Sequence, residues 1–220
     1  MAKKARAAKS KPDPRKSAIE AAMALASERG WRDLTLTDIA AEAGMPLSAV
    51  YPLFPSKGAI LSAFSRQIDA TVLAEGGDAG PDEAVRDRLF DVLMRRFDAL
   101  QPYRAALANI VQDLSRDPLE ACCAAKRLRR SLRVMLEAAG LSAGGCRGGV
   151  RLAGLKAVYL IALRAWFRDE SEDLGKTMAA LDKALARADG LLGRLGRYRS
   201  ACCRLRPRRK PDGKAEPASC

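Results

Sequence analysis

From Asp13 onward, apolar positions recur at intervals of three and four, the spacing that lines one face of an α-helix. Ile19, Ala22, Met23 and Ala26 make the first stripe. Asp13-Pro14 supplies a cap and a first-turn proline, and Gly30 a stop, which predicts a helix from Arg15 to Arg29. Ile39, Ala40 and Ala43 mark the buried side of a second helix capped by Thr37, and Gly44 offers the positive φ of a sharp turn. A short third helix follows from about Leu47 to Tyr51, with Val50 and Phe54 as its apolar contacts. Pro46 fits its first turn, and Pro52 ends it by removing a donor and disfavouring helical backbone at Tyr51. Ser56 then caps a fourth helix with Ile60, Leu61, Phe64 and Ile68 on one side.

The run Glu75-Gly76-Gly77-Asp78-Ala79-Gly80-Pro81 breaks the pattern, and helical spacing resumes beyond it. Leu89, Phe90, Leu93, Met94, Phe97 and Leu100 form one stripe, which Pro102 interrupts. Ala105 to Leu114 gives a short helix ended by Asp117-Pro118. Leu119 to Ala139 gives a longer one, basic through Lys126, Arg127, Arg129, Arg130 and Arg133 and closed by Gly140. Gly144, Gly145, Gly148 and Gly149 read as a flexible connection before a helix from Val150 to Phe167. In the last helix Leu174, Met178, Leu181, Leu185, Ala188, Leu192 and Leu195 step by four and three, a heptad seam. Such a seam pairs with its twofold copy in a four-helix bundle or is buried against the chain's own helices. Gly190, Gly193 and Gly196 weaken its end.

The spacing therefore gives an all-α protein in four parts: a basic disordered tail over 1–12, a helical head over 13–75, a larger helical unit over 76–196 that holds the seam, and a second disordered basic tail over 197–220.

Charge matters only once it is located. The net charge is +13, but residues 1–16 hold seven Lys or Arg against one Asp and residues 197–220 eight against two acids, so the interior is nearly neutral. Residues 17–75 carry four basic and seven acidic side chains. A phosphate-binding surface there needs basic help from outside, and the N-terminal tail is placed to give it. No apolar run is long enough to span a bilayer, and the basic start precedes no apolar signal segment, so a cytoplasmic location is expected. With no histidine, and six cysteines in no metal or redox spacing, neither a metal, a cofactor nor an enzyme activity is expected.

Two short helices around a glycine turn are either a helix-turn-helix or plain core, and spacing alone leaves the two level. The order of residues decides between them: a helix ended by Gly30-Trp31, then LTLTDIAAEAG, Tyr51, Phe54 and Ser56-Lys57 opening a fourth helix. In this the stretch from Asp13 to Leu73 resembles the TetR family of bacterial repressors. That resemblance implies that Thr37, Pro46, Leu47, Ser48, Ala49 and Tyr51 lie against double-stranded DNA, with Lys57 on a phosphate. It also implies a homodimer whose effector respaces the two heads. Pro46, Ser48 and Leu53 depart from the family pattern, and no Arg, Asn or Gln is present for bidentate base contact, so direct readout is thin.

A hydrophobic effector would lie among Phe90, Met94, Phe97, Tyr103 and Tyr159, the apolar candidates for a cavity wall. An alternative stays open. The segment from Trp166 to Asp173, continuing to Thr177 and Leu181-Asp182, is similar to the TetR-fold lipid-binding proteins of coenzyme Q biosynthesis, which do not bind DNA. Under that resemblance, Leu191, Leu192, Leu195, Tyr198 and Leu205 with the neighbouring arginines would rest on a membrane surface.

Overall fold

The computed structural model describes residues 13–76, 83–171 and 173–204, the side chains of 191–204 excepted. The described residues form helices joined by short turns. Helix α1 spans Pro14–Arg29, α2 Leu36–Glu42, α3 Leu47–Val50 and α4 Lys57–Ala74. After the interval at 77–82 come α5 (Val85–Leu100), a single 3-10 turn at Gln101–Tyr103 around Pro102, α6 (Arg104–Leu114), α7 (Pro118–Ala138), α8 (Gly145–Trp166) and α9 (Gly175–Arg204). The tails over 1–12 and 205–220 lie outside the described residues.

Local chemistry explains the starts and stops. Asp13 accepts from the Arg15 amide, Ser56 from Ala59, and Asp117 from Leu119 and Glu120. Gly30, Gly44 and Gly140 all take positive φ where a helix ends. Helix α2 begins differently from the sequence expectation, since its cap is Thr35 and not Thr37. Thr35 accepts from the Asp38 amide while the Asp38 carboxylate accepts from the Thr35 amide at 2.8 Å, a reciprocal box. A cap at Thr37 would have Ala40 three residues on, with no side chain to return the bond. Pro46 is likewise the cap of α3 rather than a first-turn residue, and its carbonyl accepts from Ala49 and Val50.

One further expectation is corrected, and one open alternative is narrowed. Gly145, Gly148 and Gly149 belong to α8 and are not a loose connection. The first turn of α8 folds back onto Ala143, and a Cβ at Gly148 would sit 2.2 Å from the Ala143 carbonyl carbon, so glycine is what permits that turn. Over its described part the heptad seam of α9 is buried within the chain, one of the two readings left open. Leu174, Leu181 and Leu185 are buried, Met178 and Ala188 half-buried, and α9 packs on α8 and α5. Leu192 and Leu195 are among the side chains not described. The α9 backbone also stays helical through 197–204, past Gly190, Gly193 and Gly196, each separated from the next by two better helix formers.

The core is continuous from the head into the larger unit. Ile19, Ala22, Met23 and Ala26 of α1 pack with Ile39, Phe54, Ile60 and Phe64, and the cluster runs on through Phe97, Leu132, Met135 and Trp166. Helix α4 packs on α5 and α7 as well as on α1, so the head and the larger unit share it. Between α8 and α9 the chain turns on Asp169, which is fully buried. It accepts from the amide and hydroxyl of both Ser171 and Thr177. Burial opposes its charge, but these four donors outweigh burial and hold the carboxyl far below the usual range.

Candidate nucleic-acid interface and internal cavity

Helix α3 is a single turn whose orientation is set by two anchors. Val50 and Phe54 are buried, and Pro52 stops the helix with Tyr51 as its C-cap. Leu47 and Tyr51, four residues apart on an adjoining face, are 41% and 59% exposed. Thr37, Pro46, Ser48 and Ala49 are exposed as well. The hydroxyls of Ser48 and Tyr51 make no hydrogen bond among the described residues. The surface is flat and lightly polar, with hydroxyls to offer and no long forked donor.

Lys57 is placed differently from its expected role. It opens α4, but its ammonium turns inward and donates to the carbonyls of Trp31 and Arg32 at 2.9 Å each, 5.5 Å from the centre of the Trp31 ring. Burial lowers its pKa, partly countered by Asp33 and Glu120. The lysine thus fastens the turn between α1 and α2 to the start of α4. Asp113 of α6 holds the same turn from the other side, accepting from the amides of Trp31 at 2.9 Å and Arg32 at 3.0 Å.

Positive charge beside the head comes from α7. An open cleft of about 610 Å³ lies between the start of α4 and α7, bordered by Ser56, Gly58, Ser62, Lys126, Arg127 and Arg130. Arg127 pairs with Glu120 at 2.6 Å. Lys126 and Arg130, four residues apart on one face of α7, are exposed and form no ion pair among the described residues. Sequence reasoning did not single out these two. Their only signal was the basic stripe of a distant helix, with nothing to say that it would lie beside α4.

A second, more apolar space of about 440 Å³ lies deeper, between α4, α5, α6, α7 and α8. Leu61, Phe64, Leu100, Ile110, Leu128 and Phe167 are among its walls, with Arg96, Lys156 and Tyr159 the main polar ones. Of the five residues expected there, Tyr159 alone borders it. Phe97 is fully buried and stacks on Tyr159 with centroids 5.3 Å apart. Tyr103 donates to Glu20 of α1 at 2.9 Å, and burial together with that bond pushes its phenol up to about 12. Phe90 and Met94 are half-buried against the core. Helix α5 turns Arg96 and Leu100 toward the space, a face one position round from Phe97.

Asp69 of α4, buried against this wall, accepts from Arg96 of α5 and from the hydroxyl of Ser131 of α7. Arg96 in turn donates through Nε to the Tyr159 hydroxyl at 3.4 Å. Four helices thus meet at one buried polar node. Among the described residues no group of three His, Cys, Asp or Glu is placed to hold a metal ion, and no helix is long and apolar enough to cross a membrane. The Trp166 to Thr177 segment, the basis of the lipid-binding resemblance, serves here to turn the chain: Trp166 donates to Gln101 and Asp169 ties α8 to α9.

Comparison with known proteins places this geometry. Residues 18–64 match the family model described as bacterial regulatory proteins, tetR family. A TetR transcriptional regulator from Nitrosomonas europaea superposes with a TM-score of 0.66 at 26% identity, over 80% of this chain and 99% of its own. A TetR transcriptional regulator from Rhodococcus sp. RHA1 gives 0.59 at 22%, over 80% and 95%. A tetR-family regulator from Streptomyces coelicolor gives 0.56 at 18%, over 90% and 93%. The curated proteins contain no match to the sequence. These neighbours share the two-part helical fold, and the lipid-binding alternative is not favoured.

Proposed function

We propose that this chain, similar to TetR-family regulators over its head and its fold, is a DNA-binding transcriptional regulator that acts in the cytoplasm as a homodimeric repressor released by a small, largely hydrophobic effector. The observation that carries this is α3, a helical turn held from behind by Val50 and Phe54 and open on the side of Leu47, Ser48 and Tyr51. Two such heads, one per protomer, would enter successive major grooves about 34 Å apart. Ser48 and Tyr51 reach phosphates and base edges, Leu47 and Ala49 make apolar contact, and Lys126 and Arg130 meet the backbone beside them. With no forked donor on α3, sequence preference rests on groove shape and spacing as much as on base edges.

The dimer face is the outer side of α8. Val150, Leu160 and Ile161 are 55%, 44% and 49% exposed, and Ala153 and Ala157 share that side. Small and branched residues at heptad spacing allow a close twofold crossing. The cavity beneath the head holds the effector, and α4, which borders it through Leu61, Phe64 and Ser65, carries the response to the head.

The test is DNA binding by the whole chain to its own upstream region across a salt series, against random DNA, with Tyr51→Ala beside the wild type. Specific binding that falls at least about tenfold in the variant is expected, equivalent to losing one good contact of 1–3 kcal/mol. Equal affinity for random DNA, unchanged in the variant, would remove α3 as the reading element.

A further inference from the structure

The wall of the deep cavity is mostly hydrocarbon; apart from Ser65, Arg127 and Lys156, its polar groups meet at one node, and that node is incomplete. Arg96 is 5% exposed; its Nη1 serves Asp69 and its Nε the Tyr159 hydroxyl, while Nη2 has no acceptor among the described residues. No described side-chain nitrogen or oxygen that is sealed from solvent lacks a partner. Nη2 is therefore not sealed, and the space that Arg96 borders is this cavity. Tyr159, 3% exposed, is in a similar condition: its oxygen accepts from Arg96, and its own hydrogen has no acceptor among the described residues. Two donors thus sit side by side on an apolar wall. Buried donors of a guanidinium left without an acceptor are costly, and a carboxylate is the partner whose geometry matches them.

We propose that the effector is an amphipathic carboxylate, its hydrocarbon body in the apolar chamber and its acid group on Arg96 Nη2 and the Tyr159 hydroxyl. This rests on the reading of the cavity as the effector site and adds the chemistry of what fills it. The chamber's volume lies within the range of small-ligand pockets, roughly 300–1,000 Å³. Charge balances as well. Asp69 already neutralises Arg96, so a second carboxylate needs further positive charge, and Lys156 on the same wall, in no ion pair among the described residues, supplies it. The placement also gives the signal a route. Asp69 belongs to α4, so a ligand acid that draws on the Arg96 guanidinium competes with the tie between α5 and the helix that carries the head.

The experiment measures binding of decanoate, decanol and decyltrimethylammonium to the full chain by calorimetry, below micelle-forming concentrations, for wild type and Tyr159→Phe. It is paired with release of bound upstream DNA. Decanoate is expected to bind at least about tenfold tighter than decanol, the size of one charge-assisted hydrogen bond. Tyr159→Phe, which keeps the ring stacked on Phe97, is expected to lower decanoate affinity several-fold and leave decanol unchanged. Decanol binding as tightly as decanoate, or a variant that weakens both equally, overturns acid recognition while leaving the effector cavity in place. If none of the three binds or releases DNA, the cavity reading fails and the inference with it.

Discussion

Asp113 of α6 and Lys57 of α4 grip the backbone of the same two residues: the carboxylate accepts from the amides of Trp31 and Arg32, and the ammonium donates to their carbonyls. The turn between α1 and α2 is thereby tied at once to the start of α4 and to the larger unit. Asn109 of α6 strengthens the link by donating to the carbonyls of Ala26 and Ser27. A motion of α4 or α6 must therefore be felt by the head.

Lys57 distinguishes a buttress from a phosphate contact. Lys57→Met is expected to weaken DNA binding while leaving the dependence of log K on log salt unchanged, because the ammonium is already committed to carbonyls. A lysine on a phosphate would instead reduce that slope by about one. The salt titration of the two proteins side by side decides.

Lys126 and Arg130 should show the opposite signature. Each single change to Ala is expected to reduce the salt slope by about one and to weaken specific and random DNA alike, with the unfolding midpoint unchanged, since both side chains are exposed. An unchanged slope would place the α7 stripe away from DNA.

Acid should loosen the molecule through named carboxyls. The amides of Arg32 and Trp31 lower the pKa of Asp113, and the donors of Ser171 and Thr177 lower that of Asp169 against the effect of burial. A carboxylate with a lower pKa folded than unfolded binds fewer protons in the native state. Its contribution is complete above the unfolded value of about 3.9 and is lost as pH falls through the folded value. Urea midpoints should hold steady from neutrality to about pH 4 and fall below it. In Asp113→Asn and in Asp169→Asn that fall should be shallower, from a lower starting stability.

Gly148→Ala probes the close turn at the start of α8. A methyl group 2.2 Å from the Ala143 carbonyl carbon cannot be placed without moving backbone. A loss of about 1–3 kcal/mol is expected by chemical denaturation, against little effect for Gly149→Ala, where nothing lies within 4 Å.

Much was legible along the chain because its causes are local. Asp13-Pro14, Ser56, Gly30, Gly44 and Pro52 act within a turn of themselves, so helix limits in the head could be placed from spacing and capping chemistry. The ordered run from Gly30-Trp31 to Ser56-Lys57 identified the head through its resemblance to a known family, where spacing alone had left a helix-turn-helix and plain core level. Thr37 was mistaken for the cap because two threonines stand two apart, and only the partner at Asp38 selects Thr35.

What the sequence determined by itself was the all-helical class and most helix limits of the head, because periodicity and turn chemistry act between near neighbours; the helix-turn-helix and its outward face came from the resemblance. The tertiary structure decided where the charges and the cavity lie. Lys57 faces inward because Trp31 and Arg32 bring their carbonyls to it, and the seam of α9 is buried because α8 and α5 reach it first. Asp69, Arg96, Ser131 and Tyr159 lie on four different helices and meet only when these pack. No spacing along the chain encodes that meeting, since the free energy of burying a charged pair depends on which surfaces close around it.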